Sequence, residues 1–126
     1  MIDVEKQIKY WVETGEDDLS VAQYLYEGEK YLQCLFFCHL SIEKVIKAHV
    51  AKSTKDIPEK THNLRKLLLQ TSLTLNEEQK EFIGILMVYQ LEGRYPEHFP
   101  QKPSSKTCYS YLNHTKEFFK WFKMTL

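Results

Sequence analysis

The side chains best suited to chemistry lie close together in Gly93-Arg94-Tyr95-Pro96-Glu97-His98, at the end of a predicted helix. The Arg94 guanidinium offers five N–H donors in a fixed geometry that suits a phosphate. His98 could move a proton near neutral pH. Together they could attack an RNA phosphodiester, with His98 as general base for the 2′-hydroxyl and Arg94 neutralising the charge that grows on phosphorus. Arg and His near a helix C-terminus also complement its dipole and cap its last carbonyls, so both interpretations stay open.

Two other segments carry candidate phosphate ligands, and each also has a purely structural interpretation. The segment Thr61-His62-Asn63-Leu64 looks like the start of a helix, with His62 at its surface. Glu43 and Lys44 lie midway along an apolar helix, so each is expected at a rim or in an ion pair, and Glu43 is spaced to pair with Lys47. The candidate nucleotide- or phosphate-binding residues are therefore Arg94, Tyr95, His62 and Lys44, and the candidate catalytic residues are Arg94 and His98.

A third cluster, Cys34, Cys38 and His39, lies on adjacent turns of one predicted helix and could form one edge of a metal site. No second paired edge appears in the sequence, and His39 points about 100° around the helix from Cys38. We interpret the cysteines as reduced core residues and predict neither a metal nor a cofactor. Cys108 carries no signal of a lowered pKa.

The elements that must position these residues are predicted to be helices. With only four Gly and four Pro, the sequence has little room for the turns of an all-β fold. Capping residues and apolar periodicity predict five helices. The first runs from a cap at Asp3 to about Glu27 and the second from Tyr31 to Lys52. The third is short and begins at a cap at Thr61 or Asn63, and the fourth runs from a capping box at Asn76 to about Glu92. The last begins at a cap at Ser104 or Ser105, and its apolar positions extend to Phe122.

The helix Tyr31–Lys52 is the expected centre of the fold. Its first half is apolar on nearly every side, so it must be covered on every side by the other helices. Gly28 is expected as the C′ residue of the first helix, and the short turn Gly28–Lys30 makes the first two helices antiparallel neighbours. The predicted fold class is all-α: a single domain, residues 1–126, forming an up-and-down bundle of about five helices.

Composition bounds the function as well as the fold. The chain has 17 Lys plus Arg and 17 Asp plus Glu, so its formal net charge is zero. This balance gives no indication of a general attraction to nucleic acid or acidic membranes. The charged N-terminus has no apolar signal-peptide region, and no run is long enough to span a bilayer. We therefore expect a cytoplasmic protein without a membrane partner.

Aromatic content favours self-association. Two Trp, eight Tyr and seven Phe are many for a bundle of this size, whose surface-to-volume ratio leaves some of them outside the core. An exposed aromatic patch would favour a homodimer interface. The expected patch residues are Tyr89, Tyr95, Phe99, Tyr109 and Tyr111.

Taken in order, these segments resemble the HEPN family of small helical domains. The resemblance covers about residues 5 to 122. The residues that carry it are Trp11, Asp17-Asp18-Leu19 and Ala22 in the first helix, Tyr31 to Ala48 with Ser41-Ile42-Glu43-Lys44-Val45-Ile46-Lys47-Ala48 at its heart, His62-Asn63-Leu64, and Gly93-Arg94-Tyr95-Pro96.

The resemblance implies a helical bundle that usually dimerises, often beside a minimal nucleotidyltransferase partner in a toxin–antitoxin-like pair. Many relatives are metal-independent ribonucleases with an Arg, four to six residues, and then a His. Three residues separate Arg94 from His98 here, and Pro96 is one of them, which leaves the enzyme assignment open. The first hypothesis is a HEPN module that binds nucleotide or nucleic-acid phosphate at a dimer cleft. The second is a ribonuclease toxin using Arg94 and His98, and the third is a purely structural interaction domain.

Overall fold

The computed structural model describes residues 2–126, and all regular structure in this range is helical, as predicted. Two 24-residue helices come first and are followed by shorter ones. The elements are α1 (Val4–Glu27), α2 (Tyr31–Thr54), α3 (Leu64–Leu68), α4 (Glu77–Val88), a single 3₁₀ turn (Pro96–His98) and α5 (Ser105–Met124).

Side chains cap the starts of four helices, as the sequence predicted. The N-cap residues are Asp3, Asn63, Asn76 and Ser104. The predicted capping box is present: Asn76 Oδ1 accepts from the Gln79 N–H at 2.8 Å, and Gln79 Oε1 accepts from the Asn76 N–H at 2.9 Å. These contacts satisfy N–H groups that have no partner within the helix, and so they determine where each helix begins.

One predicted cap and one predicted helix end are wrong. Helix α1 ends at Glu27, as predicted, but Gly28 has φ −83°, and the left-handed residue of the first turn is Glu29, with φ 61°. The fourth helix ends at Val88 rather than near Glu92. Past Val88, the Gln90 side chain bonds twice to the backbone of Glu92, accepting from its N–H at 2.8 Å and donating to its carbonyl at 2.9 Å. This local ring replaces the helical hydrogen bonds, which the apolar spacing could not reveal.

Helix α2 is the centre of the bundle, as predicted, because it packs against each of the other four α-helices. Its contact with α1 is the most extensive. The pairing is antiparallel: Tyr26 meets Tyr31 beside the turn, with ring centroids 5.8 Å apart. Further from the turn, Lys47 Nζ lies 5.2 Å from the centre of the Trp11 ring.

The remaining long helices complete the up-and-down order. Helix α5 runs parallel to α2, because Cys108 Sγ lies 3.7 Å from the Tyr31 carbonyl oxygen and His49 Nε2 lies 2.8 Å from that of Phe122. Helix α4 runs antiparallel to α5, with Phe82 stacked on His114 at 3.9 Å and Tyr89 6.5 Å from Tyr111. Among residues 2–126, no helix combines the length and the apolar character that crossing a bilayer requires.

The predicted exposed aromatic patch is only partly present. Tyr95 and Tyr109 are 70% and 54% exposed. Tyr89 and Tyr111 instead pack against the core, and Phe99 is half-buried. Tyr89 and Tyr111 lie against the core because the antiparallel packing of α4 on α5 places their rings next to each other.

Gly15 explains how closely the helices approach. It is buried within α1, and a Cβ built on it would lie 2.9 Å from Cε2 of Phe119 and 3.2 Å from the Ser41 carbonyl oxygen. The glycine therefore lowers helix propensity at this position but allows α1 to contact both α2 and α5.

We predict that Gly15→Ala destabilises the fold by about 1–3 kcal/mol, because the added methyl group meets a buried ring and a backbone oxygen. Gly84→Ala is the matched control in α4: its Cβ would meet only Nη2 of Arg65, the end of a flexible side chain, so the gain in helix propensity should stabilise by up to about 1 kcal/mol. Urea denaturation followed by circular dichroism measures both free energies of unfolding. Equal stabilisation by the two substitutions would contradict the close approach at Gly15.

Candidate functional site

Arg94 lies in the turn after α4 and is held there by backbone carbonyls. Its Nη1 donates to the carbonyl oxygens of Val88 and Gln90, each at 3.1 Å, and its Nη2 donates to that of His98. The Val88 carbonyl belongs to the last residue of α4 and the Gln90 carbonyl lies just beyond the helix, where carbonyls lack helical partners. The capping interpretation of Arg94 is therefore correct, and the contacts also fix the position of the guanidinium.

Capping leaves some N–H donors of the Arg94 guanidinium available. Three contacts account for three of its five N–H donors. No carboxylate in residues 2–126 forms an ion pair with it, and the residue is exposed. A positioned cation with remaining donors and no neutralising partner can bind an anion at low entropic cost.

Tyr95 and His98 both follow Arg94 closely along the chain. Tyr95 precedes the 3₁₀ turn and is exposed, and His98 ends the turn and is also exposed. The contact from Arg94 to the His98 carbonyl ties the backbone of the turn to the guanidinium. The structure thus brings Arg94, Tyr95 and His98 into one exposed segment.

Lys44 is placed elsewhere. Its Nζ lies 2.6 Å from Oδ2 of Asp18, so this candidate phosphate ligand already has a carboxylate partner on α1. Burial raises the pKa of the Asp18 carboxyl above its ordinary value, and the contact with Lys44 opposes that shift. The pair links α1 to α2 through residues of two segments that carried the resemblance.

His62 joins two carboxylates. Its Nδ1 lies 2.8 Å from Glu43 Oε1, and its Nε2 lies 3.1 Å from Glu92 Oε2. Glu43 also accepts from Lys47 at 3.2 Å, which confirms the predicted ion pair within α2. Glu92 lies two residues before Arg94, so His62 connects the buried centre of α2 to the segment that carries the guanidinium.

His39 lies beneath this network and is fully buried. Neither ring nitrogen makes a hydrogen bond within the described residues, although Nδ1 lies 4.0 Å from Oε1 of Glu43. Burial lowers the pKa of the His39 imidazole to about 4, against the opposing effect of Glu43. His39 is therefore neutral near pH 7.

The cysteines are core residues, as predicted, and all three are buried. The contact with Cys108 lowers the pKa of the Cys34 thiol, but the contact with Cys38 and burial outweigh it and raise that pKa to about 12. The contact with Cys34 and burial raise the pKa of Cys108 as well. Thiols in this state are poor nucleophiles. In residues 2–126, no three His, Cys, Asp or Glu side chains group as a metal site would require.

Sequence reasoning missed Glu92, which it treated only as the end of a helix. The contact of Glu92 with His62 joins residues 30 positions apart, and it depends on the chain leaving the helix at Val88. No local pattern in the sequence signals this contact.

Comparison with known proteins identifies the family. The model of the HEPN domain matches residues 8–125, nearly the whole chain. The protein therefore belongs to the HEPN domain family, as the resemblance indicated.

Comparison with solved structures supports the fold. The crystal structure of an archaeal HEPN homologue superposes with a TM-score of 0.64 at 18% sequence identity, covering 99% of this chain and 98% of the other. Among curated proteins, none matches the sequence significantly.

The buried His39 generates a prediction about pH. Its pKa is about 4 in the folded protein against an ordinary value of 6.5. Between pH 4 and pH 6.5, the imidazole is therefore protonated in the unfolded chain but neutral in the folded chain. We expect the free energy of unfolding to decrease as pH falls from about 6.5 to about 4, by up to about 3 kcal/mol from this group.

Denaturant unfolding of the wild type and of His39→Leu across this pH range measures the effect. The variant should lose most of the slope. Burial also lowers the pKa of His49, which contributes in the same direction, so some slope should remain. An identical slope in both proteins would show that His39 does not resist protonation.

Proposed function

We propose that this HEPN domain binds the phosphate of a nucleotide or nucleic acid through Arg94, at a cleft between two copies of the chain. The observation that carries the proposal is the exposed guanidinium, which three backbone carbonyls position and no carboxylate in residues 2–126 neutralises. A charged group held in advance in its binding geometry loses little entropy when a ligand arrives. Tyr95, 70% exposed beside it, supplies an aromatic face on which a base could stack.

The neighbouring surface supports the dimer in this proposal. Val88 and Tyr95 are 50% and 70% exposed on either side of the guanidinium along the chain. Exposed aromatic side chains and arginine are enriched in protein–protein interfaces relative to the rest of the surface. Lys44 is paired with Asp18, and both ring nitrogens of His62 contact carboxylates, so we leave Lys44 and His62 outside the proposed contact set.

A partner and a biological context complete the proposal. We propose that the module works with a minimal nucleotidyltransferase in a toxin–antitoxin-like system. Support for this part comes from membership of the family rather than from any contact in the structure. Co-expression with a nucleotidyltransferase encoded beside this protein, followed by co-purification, tests it.

We predict that Arg94→Gln raises the Kd for ATP and for a short single-stranded RNA about tenfold or more, because it removes a charged donor of hydrogen bonds. Arg65→Gln is the matched control, since Arg65 is the other arginine of the chain, is also exposed, and changes net charge equally. Isothermal titration calorimetry measures the Kd values, and sedimentation velocity of the same samples reports whether the protein is a dimer.

If both substitutions weakened ligand binding equally, the ligands would be attracted non-specifically to the positive charge of the protein. Arg94 would then be removed from the proposal. A monomer at high micromolar concentration would remove the cleft between copies. If neither ATP nor RNA binds, the third hypothesis, a structural interaction domain, becomes the better description.

A second candidate function is a metal-independent ribonuclease that uses Arg94 and His98. The observation in its favour is the contact between Arg94 Nη2 and the His98 carbonyl, which keeps the two residues in one turn. We predict that, on this function, RNA cleavage persists in EDTA and that His98→Ala reduces it at least about 100-fold, the usual contribution of a general base. Cleavage that is equal in the wild type and the variant would exclude His98 from the mechanism.

A further inference from the structure

Both ring nitrogens of His62 contact carboxylates, and the two carboxylates belong to different parts of the fold. Glu43 on α2 is 4% exposed in its side chain and lies 2.8 Å from Nδ1. Glu92, beyond the end of α4, is 60% exposed and lies 3.1 Å from Nε2. The imidazole therefore bridges the buried centre of the bundle and residues 89–98, which we call the Arg94 segment.

This geometry favours a particular protonation state. An ionised carboxylate only accepts hydrogen bonds, and a neutral imidazole has only one N–H. Because Nδ1 is hydrogen-bonded to Glu43 and Nε2 forms an ion pair with Glu92, the two carboxylates together favour the doubly protonated ring. With a single proton, the ring donates to one carboxylate and presents a lone pair to the other.

We propose that His62 is a proton-dependent latch: the charged ring holds the Arg94 segment against α2, and loss of one proton releases that segment at Glu92. Glu92 is the contact that breaks, because it is exposed and water can solvate its carboxylate. Glu43 is buried and must keep a hydrogen-bond donor. Histidine suits such a role because its charge commonly changes between pH 5 and 8.

The charges around the ring support the same conclusion. From α2, Glu43, Lys47 and His39 face it, and His39 is neutral at these pH values because burial lowers its pKa to about 4. With His62 charged, two cations balance the carboxylates of Glu43 and Glu92, whereas a neutral ring leaves one negative charge in excess.

Charged groups on the neighbouring helices have partners of their own. On the side of α3, Lys66 Nζ lies 3.2 Å from Oε2 of Glu59. On the side of α1, Lys44 pairs with Asp18 at 2.6 Å. None of these groups takes the place of the second proton on the ring.

Hydrogen exchange measured by NMR tests the latch directly. The reporters are the amides of Gln90, Glu92 and Arg94, which donate to Met87 O, Gln90 Oε1 and Leu91 O. After correction for intrinsic exchange, we expect their protection to fall by about fivefold between pH 6 and pH 8.5, the upper range for a partly exposed ion pair. At pH 6, the ¹⁵N shifts of the His62 ring should show two protonated nitrogens.

Glu92→Gln is the decisive variant. An amide has nearly the shape of a carboxylate but can either accept from a charged ring or donate to a neutral one, so the contact should survive at both pH values. The variant should therefore lose the pH dependence. Glu97→Gln removes the same charge from the same segment without a contact to His62 and should behave as the wild type does.

Three results would overturn the latch: protection that does not change with pH in the wild type, a pH dependence that persists in Glu92→Gln, or a singly protonated His62 ring at pH 6. Since these measurements need no ligand, their failure is distinct from a failure of Arg94 to bind phosphate. The latch goes beyond the proposed function by adding a control on the position of the segment that carries Arg94.

Discussion

The rest of the structure depends on one buried negative charge at the middle of α2. Glu43 is 3% exposed, and a carboxylate in such a place must be paired with cations and bonded to donors. Lys47 supplies one partner from the same helix, and His62 supplies the other from the segment before α3. Meeting this requirement brings a distant part of the chain onto α2, and through Glu92 it extends to the end of α4. The position of the candidate site is thus tied to the charge balance of the core.

Much of the fold follows from local rules that can be read in the sequence. The N-caps at Asp3, Asn63, Asn76 and Ser104 were predictable from local sequence. In each, the side chain accepts a hydrogen bond from the N–H three residues further along the chain, and this contact needs no other part of the fold. The central role of α2 was predictable because a helix that is apolar on most sides must be covered. The Glu43–Lys47 pair followed from helical spacing alone.

The errors arose where contacts outside regular helical spacing decide the outcome. The end of α4 depends on side chains that bond to a non-helical backbone, and the positions of Tyr89 and Tyr111 depend on the way two helices pack. In the candidate site, the sequence identified Arg94, Tyr95 and His98 as one segment, but it could not show which groups orient the guanidinium. The His62–Glu92 contact joins two turns whose relative position no local pattern encodes.

The way Arg94 is held has a consequence for how this surface can vary among related sequences. Its three partners are main-chain oxygens, at Val88, Gln90 and His98, and every amino acid supplies that atom. Substitutions at those positions can therefore alter shape, polarity and ligand preference around the guanidinium while leaving its orientation intact. A cation supported in this manner can serve different ligands in different relatives without a compensating change in its supports.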